Sequence, residues 1–319
     1  MLRVGVVGVG MMGQHHVRVY SELAREGRVE LVGIADANLE RAKELARKFG
    51  TKAYSDYREL AKEGLDAVDI AVPTSLHREV ALEFIEAGTS VLVEKPIADT
   101  IENARAIIEA AEREGGVTLM VGHIERFNPA VLKLKELVSR GELGRLVTVS
   151  AKRVGPMAAR IRDVGIIIDL GGVHDIDVIS YLFGEPVKTV YARAKNVVHP
   201  AGGVEDHALI TLGFDDGSGI VETNWLTPHK TRTLTVVGTG GIAYLDYIEQ
   251  SLKLYNSEWI KEAKIQKREP LRNELEHFVE CVEKGKRPIV DGKAGMHALK
   301  VALLAQESAR TGKVLEVEG

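Results

Sequence analysis

The feature that most constrains the fold is a glycine-rich turn near the N-terminus, placed between a β-branched run and a helical segment. The run at residues 3–7 leads into Gly8-Val9-Gly10-Met11-Met12-Gly13. Glycines permit a tight turn and let another molecule approach the backbone, while the start of the following helix offers unpaired N–H groups and a favourable dipole. This order of strand, turn and helix predicts a dinucleotide site. The pyrophosphate would lie on the backbone of Gly8, Gly10, Met11, Met12 and Gly13.

An acidic residue follows at the end of the second predicted strand. Asp36 lies about 20 residues after the glycine turn, where a carboxylate can accept hydrogen bonds from both ribose hydroxyls of the adenosine half. A 2′-phosphate would meet like charge at this position, so Asp36 favours NAD. Arg41, a turn into the next helix, keeps NADP as the weaker alternative. The alternative to a dinucleotide site is a glycine-rich turn followed by a surface aspartate, neither of which binds a cofactor.

The periodicity of apolar residues changes near residue 122. In residues 1–122, short β-branched runs alternate with helix-length amphipathic segments, which is typical of a doubly wound parallel sheet covered by helices. From residue 123 onward, one helical segment precedes long alternating runs, which indicate a mainly antiparallel sheet. The sequence therefore predicts an α/β chain with an N-terminal Rossmann domain (1–122) and a C-terminal α+β domain (123–319).

Composition excludes several other classes of protein. The 42 basic and 46 acidic residues are mixed along the chain and leave a net charge of −4, so nucleic acid is not predicted as a partner. No apolar run approaches the ~20 residues that cross a bilayer, and the single cysteine, Cys281, cannot form an internal disulfide. We expect a soluble, cytoplasmic protein without a membrane partner, in which Cys281 packs on one side of a helix.

Four further motifs carry a resemblance to a known family. They are Gly13-x-x-His16, Pro73-Thr74-x-x-His77, Glu94-Lys95-Pro96 and His174-x-x-Asp177. Together with the glycine turn they resemble the glucose-fructose oxidoreductase, inositol dehydrogenase and MocA family, over essentially the whole chain. The resemblance implies a nicotinamide-dependent oxidoreductase that assembles as a homodimer or homotetramer. It adds these cofactor contacts to the glycine turn and Asp36: Pro73, Thr74, His77, Glu94 and Lys95.

Lys95 is the residue that the resemblance places beside the nicotinamide and the substrate hydroxyl. The chemistry agrees, because removal of a hydride from an alcohol carbon also requires the hydroxyl proton to leave, and an ammonium stabilises the developing alkoxide. The carboxyl end of a parallel strand is also where such sheets bind ligands. The alternative is a surface lysine that is paired with Glu94.

His174 is the matching candidate for general acid and base, since an imidazole with a pKa of ~6.5 exchanges protons near neutrality. The resemblance assigns Asp169 to position it, but the spacing from this aspartate to the histidine is one residue longer than is usual in the family. Either a small bulge restores the geometry, or Asp175 or Asp177 orients the imidazole. No metal is predicted, because no cysteine cluster or paired-histidine spacing accompanies His174.

Two segments of the second domain predict further substrate contacts. By resemblance, the segment after the last Rossmann strand lines the substrate side of the nicotinamide, which selects Arg126 and Asn128. Arg153, Arg160 and Arg162 then lie shortly before His174. Arginine forks suit phosphate oxygens, so we expect an anionic sugar. The alternative is a solvated basic loop or a salt-bridged subunit contact.

The motifs in these segments are similar to the branch of the family that contains UDP-N-acetylglucosamine 3-dehydrogenases. This resemblance implies oxidation of the C3 hydroxyl of a UDP-N-acetylhexosamine to the 3-keto sugar, with Lys95 polarising the hydroxyl and His174 exchanging its proton. A dehydrogenase of a free polyol or aldose is the first alternative. The second is an NAD-dependent glycosidase with no net redox change. A non-catalytic sensor of NAD(H) or sugar is disfavoured, because Lys95 and His174 are both present.

Overall fold

The computed structural model describes residues 1–156, 165–168, 172–198 and 204–318. The chain forms two compact units, the first made of Met1–Ile124 with Leu271–Met296 and the second of Glu125–Pro270 with His297–Gly319. The sequence prediction placed all of 123–319 in the second domain, whereas the structure groups 271–296 with the first unit. The physical reason is backbone pairing: the Val121 N–H donates to the Val290 carbonyl at 3.0 Å, and Met120 forms an antiparallel bridge with Asp291.

The secondary structure alternates between strands and helices at first and becomes strand-rich later. In chain order the elements are β1 (Leu2–Val7), α1 (Gly13–Arg25), β2 (Val29–Ala35), α2 (Leu39–Phe49), β3 (Lys52–Tyr54), α3 (Tyr57–Ala61), β4 (Ala67–Ile70), α4 (His77–Glu86), β5 (Ser90–Glu94), α5 (Ile101–Glu114), β6 (Leu119–Gly122), α6 (Pro129–Ser139), β7 (Leu146–Pro156), α7 (Gly172–Phe183), β8 (Thr189–Lys195), β9 (His207–Gly213), β10 (Ser218–Asn224), β11 (Leu226–Gly238), β12 (Gly241–Asp246), β13 (Ser251–Tyr255), β14 (Ile260–Glu262), α8 (Pro270–Lys284), α9 (Gly292–Thr311) and β15 (Leu315–Glu316). Single 3-10 turns occur at Thr74–Leu76 and Ile124–Phe127. Within the described residues, no helix combines the length and the apolar character that a membrane span requires.

The first unit contains a six-stranded sheet in the order β3-β2-β1-β4-β5-β6. All five neighbouring pairs are parallel. The central strands β4 and β5 are buried along their whole length, as expected where helices cover both faces of a parallel sheet. This order reverses direction between β1 and β4, and ligands of such folds bind beyond the carboxyl ends of the strands at that point. The predicted Rossmann domain is confirmed.

The second unit is built on a nine-stranded sheet in the order β14-β13-β12-β11-β7-β10-β9-β8-β15. Its neighbouring pairs are antiparallel apart from β7 with β10. Alternate side chains of the strands, such as Val149, Val221 and Leu234, join a core with apolar residues of α6, α7 and α9. The opposite face leaves Ile220 and Tyr244 exposed. The predicted mainly antiparallel α+β architecture is confirmed.

Candidate active site

The glycine turn between β1 and α1 leaves little room for side chains at two of its three glycines. Gly8 adopts a φ of 86°, and a Cβ added there would lie 2.6 Å from the Ala71 carbonyl oxygen. A Cβ at Gly13 would collide with the carbonyl oxygen of Gly8. Gly10 in contrast faces open space, and no side chain caps the first turn of α1, which follows Met12. The turn is therefore a cradle in which backbone N–H groups can bind a pyrophosphate.

Asp36 follows β2 and is held against this turn by its own hydrogen bonds. Its Oδ2 accepts the N–H of Val9 at 2.8 Å, and its Oδ1 accepts the N–H of Asn38 at 2.8 Å. Each oxygen retains a lone pair for a further donor. The predicted ribose-binding aspartate is thus fixed beside the predicted pyrophosphate cradle, whereas Arg41 is exposed on the first turn of α2.

The Glu94-Lys95-Pro96 motif leaves the carboxyl end of β5, two strands from the glycine turn in the same sheet. The peptide bond between Lys95 and Pro96 is cis. The Lys95 N–H donates to Oε2 of Glu94 at 3.0 Å. Lys95 itself is partly exposed, while Glu94 is buried. The motif therefore presents a lysine at the edge of the sheet where the cofactor cradle lies.

His77 contacts the main chain of the Glu94-Lys95-Pro96 motif and of the loop after β4. Its Nδ1 lies 2.9 Å from the Pro96 carbonyl oxygen and its Nε2 lies 3.1 Å from that of Val72. Burial lowers the pKa of His77 below its ordinary value. Pro73 and Thr74 come directly before it, with Pro73 exposed and Thr74 partly exposed. The ring of His77 thus contacts main-chain oxygens of the two loops, and Pro73 and Thr74 are the more accessible members of the predicted cofactor motif.

His16 of the Gly13-x-x-His16 motif is fully buried in α1. Its Nδ1 lies 2.6 Å from Oδ2 of Asp69, and its Nε2 lies 3.1 Å from Oε1 of Glu94. Burial alone would lower the pKa of His16, but the two carboxylates together raise it well above 6.5. Sequence reasoning missed Asp69, although an aspartate inside the otherwise apolar strand β4 is a visible signal, since a charge in a central strand requires a partner.

In the second unit, His174 lies in the first turn of α7 and is buried. Two aspartates of the same helix, Asp175 and Asp177, are also buried, and each is paired with an arginine. Arg153 of β7 donates from Nε and Nη2 to Asp175 at 2.9 and 3.0 Å. Arg126 donates from Nε and Nη2 to Asp177 at 2.7 and 2.6 Å. These bidentate pairs tie the helix that carries His174 to β7 and to the turn before α6.

Arg126, Arg153 and Asn128, which were predicted to contact the substrate, each have hydrogen-bond partners inside the protein, and their role as substrate ligands stays a prediction. Besides Asp175, Arg153 donates to Glu125 at 2.8 Å. Asn128 caps α6 by accepting the Ala130 N–H and donates to the Tyr247 carbonyl at 3.0 Å. All three predicted ligands are buried. A buried guanidinium needs carboxylate partners inside the protein, and both arginines have them.

Three other predicted residues, Arg160, Arg162 and Asp169, lie outside the described residues. The proposed pairing of Asp169 with His174 therefore stays a prediction. In the part of the chain that the structure describes, no three His, Cys, Asp or Glu side chains are arranged to hold a metal ion.

The strand order, the glycine turn and Asp36 define the first unit as a dinucleotide-binding Rossmann domain. Residues 2–123 match the family model for the oxidoreductase family with an NAD-binding Rossmann fold, and residues 131–244 match the GFO/IDH/MocA C-terminal domain. The chain belongs to this family, as its motifs predicted, and is a nicotinamide-dependent dehydrogenase.

Named relatives extend over nearly the whole chain. A scyllo-inositol 2-dehydrogenase (NAD(+)) of Bacillus subtilis is 30% identical, covering 99% of this chain and 96% of the relative. A UDP-N-acetylglucosamine 3-dehydrogenase of Acidithiobacillus ferrooxidans is 29% identical, covering 95% of each chain. A solved structure of the latter enzyme superposes with a TM-score of 0.87 at 28% identity, covering 96% of this chain and 97% of that one. An oxidoreductase of Agrobacterium radiobacter, in complex with NAD+, L-tartaric acid and magnesium, shares the fold with a TM-score of 0.90 at 21% identity, covering 99% and 98%.

Proposed function

We propose that this chain is an NAD-dependent dehydrogenase that oxidises a secondary hydroxyl of a sugar, with C3 of a UDP-N-acetylhexosamine as the leading substrate. The observation that carries the proposal is the position of Lys95 at the carboxyl edge of the parallel sheet that also carries the glycine cradle and Asp36. An ammonium beside the nicotinamide end of a dinucleotide suits removal of a hydride from an alcohol carbon. The family membership supports the same chemistry.

In the proposed reaction, a nicotinamide dinucleotide held by the glycine cradle and Asp36 would supply the acceptor for the hydride of the sugar carbon. The substrate hydroxyl loses its proton, and the C–O bond becomes a carbonyl. Lys95 stabilises the alkoxide that develops on the oxygen, and His174 takes the proton. Asp169 is proposed to orient His174, so the aspartate, the histidine and the lysine each have one role in moving or stabilising charge.

Asp36 supports NAD as the preferred cofactor. Its carboxylate is already fixed by two main-chain donors, so it cannot move away from a 2′-phosphate without breaking these bonds. We expect kcat/KM to be higher with NAD than with NADP. The Asp36→Ser variant should lose part of this preference, because the like charge is removed while a hydroxyl remains. Steady-state kinetics with both cofactors test this, and an unchanged preference would contradict the role of Asp36.

The nucleotide-sugar substrate is supported by the likeness to the UDP-N-acetylglucosamine 3-dehydrogenase and by the predicted contacts of Arg160 and Arg162. One structural observation favours a second candidate, a neutral polyol of the inositol type. Arg153 is paired internally, and its neighbour Lys152 contacts Glu222 at 3.1 Å. These described cations of the basic segment therefore already have protein carboxylates as partners.

A panel of nucleotide sugars, inositols and free aldoses with NAD, followed by NADH absorbance, tests the proposal. We expect UDP-N-acetylglucosamine to be oxidised and Lys95→Met to abolish turnover while NAD still binds, measured by calorimetry. Lys43→Met, which removes an exposed lysine of α2, is the matched control and should be as active as the wild type.

Other outcomes of the panel separate the alternatives. Oxidation of an inositol or aldose alone would refute the nucleotide-sugar assignment and keep the dehydrogenase. Cleavage of a glycoside without net NADH would identify the glycosidase. Full activity of Lys95→Met would overturn the mechanism.

We also propose a homodimer or homotetramer, with the exposed face of the nine-stranded sheet as the contact surface. Its outward side chains include Leu209, Ile220 and Tyr244, which are 44%, 38% and 49% exposed. The strand register places Ile220 and Tyr244 in one row across the sheet. Light scattering coupled to size exclusion measures the assembly, and a monomer at micromolar concentration would contradict this proposal.

A further inference from the structure

The buried cluster of His16, Asp69 and Glu94 is not used by the chemistry proposed above. His16 is fully buried in α1, Asp69 is fully buried in β4, and Glu94 is 7% exposed at the end of β5. The three groups therefore come from three different elements of the first unit. A buried charge is costly unless it is paired, so this arrangement calls for a physical account.

The contacts of the ring specify how many protons the cluster holds. Both ring nitrogens face carboxylate oxygens, at 2.6 Å for Asp69 and 3.1 Å for Glu94. When both carboxyl groups are ionised, a neutral imidazole, which carries one N–H, can satisfy only one of these acceptors, whereas an imidazolium donates to both. With an imidazolium between two carboxylates, the cluster has a net charge of −1.

The ionisable groups around His16 include Tyr20, Asp69 and Glu94. Burial and the charges of Asp69 and Glu274 raise the pKa of Tyr20 well above 10, so its hydroxyl stays neutral. Burial raises the pKa of Asp69, although His16 opposes this effect. The pKa of Glu94 is lowered in spite of burial, because His16 and Lys95 stabilise its anion. The Glu94 side chain is thus held as a carboxylate.

Glu94 connects His16 to the proposed catalytic lysine. One of its oxygens contacts the His16 ring, and the other accepts the main-chain N–H of Lys95. If the imidazolium loses its proton, the ring keeps one N–H, and the shorter contact to Asp69 favours keeping it there. The contact to Glu94 then lacks a hydrogen, and the Glu94 side chain is no longer fixed at both oxygens. The net charge of −1 also balances the single positive charge of the Lys95 ammonium.

We propose that His16 is a positioning residue for Lys95. The His16 ring acts as an imidazolium that is held by Asp69, and it fixes the Glu94 carboxylate that binds the Lys95 backbone. This inference rests on the proposed function, because the role of Lys95 belongs to that proposal. In this proposal, the histidine of the Gly13-x-x-His16 motif links α1 to the Glu94-Lys95-Pro96 motif.

The first arm of the test needs no substrate. In protein labelled with ¹⁵N at histidine, we expect the ring nitrogens of His16 to show the imidazolium state at and above about pH 7. The assignment comes from the loss of these signals in His16→Gln, with the exposed neighbour His15→Gln as the matched control. A neutral tautomer of His16 at about pH 7 would overturn the proposal whatever the substrate is.

The second arm uses Asp69→Asn, which keeps the shape of the side chain and removes its charge. Without this carboxylate the pKa of His16 falls, so its titration moves down towards the range of an ordinary histidine. We expect kcat to fall roughly ten- to a hundred-fold as pH rises through this new pKa, because Lys95 is no longer held in place. The affinity for NAD should change little, since the glycine cradle and Asp36 are intact.

The two readouts separate positioning from a merely structural role. If His16 titrates in Asp69→Asn by NMR and kcat shows no change at the same pH, the link to Lys95 is refuted. If the wild type oxidises no sugar or polyol under any condition, the proposed function fails, while the NMR arm still decides the protonation state. His15→Gln should retain wild-type kcat throughout the pH range.

Discussion

The buried pair of Arg153 and Asp175 provides the sharpest test of how the second unit is stabilised. In Arg153→Met, the two hydrogen bonds to Asp175 and the one to Glu125 are lost. Asp175 then has a buried carboxylate without its arginine, while Glu125 keeps Arg232 at 3.6 Å. Methionine fills much of the same volume, so the loss is mainly electrostatic.

The expected size of the effect follows from this geometry. Removing one partner of a buried ion pair typically costs about 3–5 kcal/mol of unfolding free energy, because the remaining charge is buried without compensation. The contact of Arg153 with the Tyr247 ring, at 5.2 Å from its centroid, adds roughly 0.5–1 kcal/mol. Arg232 offsets part of the loss at Glu125. We therefore expect Arg153→Met to destabilise the second unit by about 3–5 kcal/mol.

The control is the next residue of the same strand. Lys152 points to the exposed face and contacts Glu222 at 3.1 Å, with 48% of the lysine side chain exposed. Such surface pairs contribute ~0–1 kcal/mol, so Lys152→Met should have little effect. Both tryptophans of the chain, Trp225 and Trp259, belong to the second unit. Denaturant unfolding followed by their fluorescence thus reports on the unit that is perturbed.

The pH dependence gives the prediction a second, independent readout. Burial already raises the pKa of Asp175, and loss of Arg153 raises it further. A protonated Asp175 no longer carries an unpaired charge, so the stability deficit of Arg153→Met should be largest near pH 8 and shrink towards pH 5. Equal stabilities of the Arg153 and Lys152 variants, or a deficit independent of pH, would refute this reasoning. A raised KM with intact stability would instead support the predicted role of Arg153 as a substrate ligand.

Two further predictions concern the first unit. Gly13→Ala should abolish measurable NAD binding, because the new Cβ collides with the Gly8 carbonyl oxygen and displaces the cradle; calorimetry with NAD measures this, and wild-type affinity would contradict it. Since the pKa of His77 is lowered in the folded state, its stabilising contribution is present above the unfolded pKa of ~6.5 and declines as pH falls below that value. The free energy of unfolding should therefore decrease more steeply between pH 7 and 5 in the wild type than in His77→Gln, as monitored by urea titrations, and parallel curves would speak against a buried neutral His77.

The parts of the site that could be predicted from the sequence depend on short-range order. The glycine turn and Asp36 are specified by a strand, a turn and a helix that follow one another, and their chemistry is visible in that order. The cap of α2 at Asn38, whose side chain accepts the Arg41 N–H, is local in the same way. The Glu94-Lys95-Pro96 motif was found through its resemblance to a family and not through any periodicity.

The parts that could not be predicted depend on pairings between distant residues. Arg153 and Asp175 are 22 positions apart, and His16 and Asp69 are 53 positions apart. An arginine that binds phosphate and one that neutralises a buried aspartate have the same appearance in a sequence, so the pairing of Arg153 with Asp175 could not be predicted. For the pairing of His16 with Asp69, the sequence offers one indication, which is the aspartate inside β4. An apolar strand tolerates a buried aspartate only when the charge has a partner.

The pairing of β6 with residues 290 and 291 has a consequence for how the chain folds during synthesis. β6 is one of the two edge strands of the parallel sheet. On the side away from β5, Met120 and Val121 pair with backbone that is translated about 170 residues later. Until then the nascent N-terminal half exposes an unpaired strand edge, which is a template for association with other chains. A recombinant fragment ending near residue 122 would keep this edge permanently, so soluble expression of the dinucleotide-binding half should require that the segment 271–296 be fused back to it.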